Sequence, residues 1–260
     1  MFYNVDSEGF LINPTSIDNV SEHWKSVIDE VITLSCSVHG DNLHSLYLRG
    51  SVPEGTAHDY SDLDIICVLS ERKETNLTDD HKQLIDDMIS KKVDYSLIAL
   101  DDFTEETEFL LKVQSLYIFG KDLILDMRKF SISDVPEINL KEIDDAFYEM
   151  CSYALSNSNR TDDDNKDICR WLSRRVLMSA YNIVISREGV YTRDLTSCFP
   201  ASIARKHFNF DEVALLDCQQ MFVPNDIKYC IRLLALVYLE STKHPVHPYL
   251  NESAKLRPDR

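Results

Sequence analysis

Apolar positions in the first half of the chain follow two different periods. Val20, Trp24, Val27, Ile28, Val31 and Leu34 recur at helical spacing down to about Ser37, which predicts a helix with one apolar face laid against a sheet. At that spacing Trp24 reads as a core residue rather than a stacking platform. Thr15 and Asp18 form a candidate capping pair ahead of the helix. Leu46, Tyr47 and Leu48 make a short apolar run that stops at Gly50, and Leu63 to Leu69 is a longer run with the Ile, Val and Leu content of a buried strand. After a polar loop over Glu71 to Asp80, Leu84, Ile85, Met88 and Ile89 predict a helix ending near Lys91 and Lys92, whose charges suit a helix C-terminus. Val93 to Leu100 then alternates as a strand, with Val93, Tyr95, Leu97 and Ala99 on one face and Asp94, Ser96, Ile98 and Leu100 on the other. Asp101 to Tyr117 predicts a further helix, capped by Asp102 or Thr104, that turns Leu110, Leu111 and Val113 inward.

Beyond that the period changes. Ser131 to Asn139, with Pro136 and little periodicity, is the candidate linker. Helices are predicted over Ile143 to Leu155, over Asp167 to Ile185 and within Phe222 to Leu239, with the polar stretch Asn157 to Lys166 as a turn. No internal repeat or low-complexity tract is evident. The expected architecture is an α/β (α+β) domain at 1–130, a mixed sheet flanked by helices, followed by an all-helical domain at 131–260.

Candidate chemistry concentrates where the apolar runs begin and end. Asp62 and Asp64 lie two apart at the start of the Leu63 to Leu69 strand, so their side chains project from one face. Two carboxylates that close repel unless a cation lies between them, and Mg2+ is commonly held by one or two carboxylates together with substrate phosphates. Gly50 lets a phosphate approach the backbone, Ser51 offers a hydroxyl donor, and Pro53 suits the first turn of a short helix. Alone, a Gly-Ser pair is a turn and an Asp-x-Asp is a solvated strand edge. In this order, each at the boundary of an apolar run, they describe a metal and nucleotide site. Asp94 is the one charge in its strand, and a carboxylate there is costly unless it is paired, hydrogen-bonded or bound to metal.

Gly50 and Ser51, followed after ten residues by Asp62 and Asp64, resemble the signature of the DNA polymerase beta-like nucleotidyltransferase superfamily. Length and layout are most similar to aminoglycoside nucleotidyltransferases and related stand-alone bacterial nucleotidyltransferases. The resemblance covers about Leu43 to Asp126. Glu54 departs from it, standing where many relatives carry Arg or Lys. It implies a third acidic residue on a strand beside the Asp-x-Asp strand, a position that Asp94 matches. It also implies two Mg2+ ions held by Asp62, Asp64 and Asp94, with ATP or another nucleoside triphosphate as co-substrate. The general base stays open between Asp94 and the acids Asp144, Asp145 and Glu149. The helical half would complete the nucleotide site from across a cleft, with Arg170, Arg174 and Lys206 as candidate phosphate ligands. Arg170 and Arg174 share a helix face, and pairing with Asp162, Asp163, Asp164 and Asp167 is an equal alternative. Tyr191 to Asp194, after Gly189, form a polar loop that could face the nucleotide.

Charge narrows the acceptor. The formal net charge of −17 lacks the basic footprint of a sequence-independent nucleic-acid binder and suits a small, hydroxyl-bearing, cationic acceptor such as an aminoglycoside, with acidity that merely serves solubility as an equal alternative. The same chemistry on a protein or RNA is the alternative, and an inactive nucleotide-binding regulator is a third. The intact site residues argue against the last. Seven Cys without any C-x-x-C spacing read as free thiols, the histidines show no metal-ligand spacing, and no apolar run reaches membrane-span length. Without a basic-then-apolar leader pattern, the expectation is a cytoplasmic protein.

Overall fold

The computed structural model describes residues 2–58, 61–72, 84, 87, 92–136, 138, 152, 161–193, 231, 235, 237 and 239, with the side chains at 164, 167, 170, 171, 173–175, 186 and 187 excepted. The chain divides into two compact units, one of Leu11–Phe130 and one of Met1–Phe10 with Ser131–Arg260.

The strand at Phe2–Tyr3 (β1) belongs to the second unit and is taken up below. In the first unit, helix α1 spans Glu22–His39 and is followed by strand β2 at Leu43–Arg49. A single turn of helix at Ser51–Glu54 (α2) leads to β3 at Leu63–Leu69 and β4 at Val93–Ala99. Helix α3 at Glu105–Gln114 runs into β5 at Ser115–Gly120. The sheet order is β4-β3-β2-β5, with β3 and β4 parallel and the other two pairings antiparallel, which makes the mixed sheet that the sequence predicts.

Hydrophobic layers form on both faces of this sheet. Leu46, Leu48, Leu63, Ile65, Cys67, Leu69 and Val93 pack with Ile28 and Val31 of α1, and Trp24 and Val27 close the edge of that layer. Tyr47, Ile66 and Val68 face the other way and pack with Leu111 of α3. Central strands covered on both faces lose the polar alternation of a half-exposed strand, so β3 reads as one apolar run. Each buried aliphatic side chain contributes about 1.5 to 3 kcal/mol, which sets the register of these strands firmly. Strand β4 lies at the sheet edge, and Leu97 is 45% exposed there.

Local signals differ from expectation at two places, α1 and α3. Thr15 does not cap α1: Ser16 caps a short 3-10 turn at Ile17–Asn19, α1 starts after Ser21, and the buried Thr15 hydroxyl has no partner among the described residues. The predicted helix to Tyr117 stops at Gln114, because Ser115 takes extended backbone and donates its hydroxyl to the Leu110 carbonyl at 2.9 Å. Of the two predicted caps Thr104 is the one used, accepting from the Thr107 N–H at 3.2 Å, so the helix begins at Glu105 and not at Asp101, which lies in a 3-10 turn. Of the helix predicted near residues 84–89, Leu84 and Asp87 are helical and the other positions lie outside the described residues.

The second unit contains helix α4 at Asp162–Glu188, which begins ahead of the predicted Asp167 because Asp162 and Asp163 are favourable charges in a first helical turn. Ile168, Leu172, Val176, Ala180 and Tyr181 are buried along it. Strand β6 at Tyr191–Thr192 pairs antiparallel with β1, and the Tyr3 and Tyr191 rings lie 4.7 Å apart. Residues 1–10, placed with the sheet domain by the sequence, therefore associate with the later half of the chain. The predicted helix over 143–155 lies outside the described residues except Ser152, which is helical, and of the predicted helix over 222–239 only Ile231, Ala235, Val237 and Leu239 are described, all helical. Among the described residues no helix is long and apolar enough to cross a membrane.

Candidate active site

Four strands bring their chemistry to one end of the sheet. The last residue of β2 is Arg49, which pairs in register with Asp64 of β3 and with Ser115 of β5, while Asp64 pairs with Asp94 of β4. Laterally paired residues share a face, and strands lie roughly 4.8 Å apart. Asp64 and Asp94 therefore stand side by side on the α3 face, two residues before Ile66 and Ser96, and Asp62 precedes β3 at the matching position. Asp62 and Asp94 are exposed and Asp64 is half-buried, the one residue of β3 that is not fully buried.

Gly50 explains how Asp64 is placed. Its backbone, at φ 77° and ψ −155°, lies in a region reserved for glycine, and a Cβ there would stand 2.0 Å from Asp64 Oδ2. The Asp64 carboxylate thus lies over the bare glycine, joining the Gly-Ser turn to the acidic strand. Ser51 is half-buried, and its hydroxyl makes no hydrogen bond among the described residues. The turn of α2 is closed by the Gly55 and Thr56 N–H groups, the latter donating to the Ser51 carbonyl at 2.9 Å.

A strap from Asn13 to Asn19 holds this turn in place, a feature that no local pattern announces. The Ser16 N–H and the Asn19 side-chain amide both donate to the Pro53 carbonyl, at 3.0 and 2.9 Å. Asn13 donates to the Ser115 and Lys112 carbonyls at 2.7 and 3.2 Å, which ties the strap to the start of β5. Thr15 sits between these anchors, its N–H donating to Asn13 Oδ1 at 3.0 Å.

The carboxylates supply hard oxygen donors on one face, the chemistry that suits Mg2+. Among the described residues no three His, Cys, Asp or Glu side chains converge closely enough to hold a metal ion as they stand, and repulsion between like charges favours such a spread. An open pocket of about 810 Å³ lies on the opposite, α1 side, lined by His23, Trp24, Val27, Glu30, His58 and Lys92 among others. It reaches Ser61 but not the carboxylates, which face away from α1. Beneath the site, Tyr95 hydrogen-bonds Ser35 at 2.8 Å, and burial pushes the Cys67 thiol up to about 12, so Cys67 serves as a core residue.

Arg170 and Arg174 fall on α4 with side chains outside the described residues, and Lys206, Asp144, Asp145 and Glu149 lie outside them altogether. Asp163, one proposed partner of the arginines, is engaged by Lys166 at 3.1 Å. Of the polar loop, Tyr191 and Thr192 are buried in β6 and Asp194 is outside the described residues. Arg49 was missed by sequence reasoning. The available signal was a lone cation closing an apolar strand immediately before the Gly-Ser pair.

Residues 36–119 match the family model of the nucleotidyltransferase domain, a span that holds Gly50, Ser51, Asp62, Asp64 and Asp94. Residues 166–260 match that of chorismate mutase type I, of which the described part is chiefly the remainder of α4 and β6. Among solved structures the chain is similar to spectinomycin adenyltransferase AAD(9) from Enterococcus faecialis with ATP and spectinomycin, at 15% identity, 82% of this chain, 98% of that chain and a TM-score of 0.47. No curated protein matches the chain.

Proposed function

We propose that the protein moves a nucleoside monophosphate, AMP from ATP, to a hydroxyl of a small cationic acceptor such as an aminoglycoside, releasing pyrophosphate, a reading supported by the match of residues 36–119 to the nucleotidyltransferase-domain model. The observation that carries this reading is the Asp64 carboxylate lying over Gly50, with Asp94 in register beside it. Asp62, Asp64 and Asp94 would hold two Mg2+ ions, which when bound supply positive charge to the phosphate and to the attacking and leaving oxygens.

The chain's own residues do the positioning. Gly50 presents no side chain, which makes room for the Asp64 carboxylate, and the Ser51 hydroxyl is available to donate to a phosphate oxygen. The acceptor oxygen bonds to the α-phosphorus while the bond from that phosphorus to the diphosphate oxygen breaks, its electron pair leaving with pyrophosphate. Asp94, exposed at the head of β4, would take the hydroxyl proton, with Asp144, Asp145 and Glu149 as the competing acids. The net charge of −17 favours accumulation of a cationic acceptor.

The test is incubation of the full chain with labelled nucleoside triphosphates, Mg2+ and an aminoglycoside panel. The expected result is labelled acceptor and stoichiometric pyrophosphate. Pyrophosphate release with label on protein or RNA instead would move the acceptor to a macromolecule. No release with any acceptor of either kind would overturn the transfer reading.

A further inference from the structure

We infer that Arg49 contacts the substrate: its guanidinium holds the β- and γ-phosphates of the bound nucleoside triphosphate and stays with them as pyrophosphate leaves. The inference rests on the nucleotidyl-transfer reading and adds a residue to it.

Strand β2 is an inhospitable place for a charge. Ser45, Leu46, Tyr47 and Leu48 are all fully buried, and Arg49, the next residue, is half-buried. Tyr47 packs with Ile66 and Val68 on the α3 face, so Arg49, two residues on, projects to that same face. Across neighbouring strands the row on this face reads Asp94, Asp64, Arg49. An arginine directly opposite an aspartate ordinarily forms a cross-strand ion pair. Here it does not: the Asp64 carboxylate is turned over Gly50, and Arg49 makes no hydrogen bond or ion pair among the described residues.

A guanidinium keeps its proton at any physiological pH, so Arg49 cannot lower the cost of partial burial by neutralising itself. A charge kept half-buried and unpaired is unfavourable unless a ligand completes it. The matching ligand is an anion with paired oxygens, since the planar fork of N–H donors fits phosphate bidentately. Arg49 immediately precedes Gly50 and Ser51, where the phosphate chain would meet the backbone. It is also the cation in a row of carboxylates that would otherwise repel a triphosphate. The β- and γ-phosphates carry most of the charge and the paired oxygens of a triphosphate, so Arg49 is assigned to the part that departs.

The test is calorimetric binding of pyrophosphate, ATP and AMP, each with Mg2+, to the full-length wild type and to Arg49→Gln. The expected result is a tenfold or greater loss of affinity for pyrophosphate and ATP, with AMP within about twofold, the size of one lost charged hydrogen-bonded contact. Arg49→Lys, which restores charge without the fork, should recover part of the loss. Unchanged pyrophosphate affinity in Arg49→Gln, beside a wild type that binds it, overturns the inference and leaves the transfer reading standing. An equal loss for AMP also overturns it, by moving Arg49 to the nucleoside end. A wild type that binds neither ATP nor pyrophosphate overturns the transfer reading itself. Should Arg49→Gln fail to fold, Arg49→Met, which keeps the packing stem, carries the same comparison.

Discussion

Replacing Gly50 with Ala tests the joint between the Gly-Ser turn and the acidic strand. Two costs arise. The backbone at φ 77° and ψ −155° is one that side-chain-bearing residues avoid, at about 1 to 3 kcal/mol, offset by about 0.4 to 1 kcal/mol from a stiffer unfolded chain. The new methyl would also stand 2.0 Å from Asp64 Oδ2, where ordinary contact begins at 3.4 Å, so the carboxylate must swing away by more than an ångström. Forcing Asp64 off its rotamer adds about 0.5 to 1.5 kcal/mol. The expected loss thus runs from about 0.5 to 4 kcal/mol and centres near about 2, or on the order of 10 °C in midpoint for a unit of this size. Activity should fall further than stability explains, because a 1 Å misplacement of a reacting group costs about a hundredfold. Thermal unfolding by circular dichroism and pyrophosphate release are the two assays. Gly40→Ala is the control, since Gly40 also has positive φ, at 51°, but nothing within 4 Å of its Cβ position. It should lose stability and keep transfer. In an Asp64→Ala background the stability cost of Gly50→Ala should shrink to its backbone part. A Gly50→Ala protein with full transfer, or with the same stability cost whether or not Asp64 is present, would refute the reasoning.

Asp62→Asn and Asp64→Asn should each reduce transfer at least about a thousandfold, roughly 4 kcal/mol of transition-state stabilisation, with near-normal unfolding curves; near-normal turnover in either would remove it from the site. Asn19→Ala removes the 2.9 Å bond to the Pro53 carbonyl and should cost about 1 kcal/mol while weakening nucleotide binding several-fold, which titration with ATP would reveal. An unchanged dissociation constant would make the strap merely structural. Stability should fall as pH rises above about 9: the unfolded Cys67 thiol, with its ordinary pKa of 9.0, releases its proton there, whereas burial holds the native thiol to about 12. Tyr47 and Tyr95 are raised by burial too and act in the same direction. Urea midpoints at pH 8, 9 and 10 should decline, less steeply in Cys67→Ala; a midpoint flat with pH would contradict this.

What the sequence determined by itself is what depends on neighbours along the chain. Helix α1, β3 and the faces of β4 are legible because periodicity is local and both sheet faces are covered by helices. The Gly50-Ser51 turn and Asp62-x-Asp64 are legible because each interrupts or borders an apolar run, and Asp94 because a lone charge in a strand needs a reason. Even local signals fail where two elements abut: the apolar residues after Gln114 suit a helix and a strand equally, and pairing of Ser115 with Arg49 decided for the strand. The tertiary structure alone decided three further things. It set Asp64 beside Asp94 on parallel strands, laid the Asn13 to Asn19 strap over Pro53, and joined Phe2–Tyr3 to Tyr191–Thr192. It also revealed Arg49, whose meaning comes from a face shared with two carboxylates and from an aspartate turned away from it. Each of these is a contact between distant positions, selected by burial of both sheet faces, and no window along the chain contains both partners.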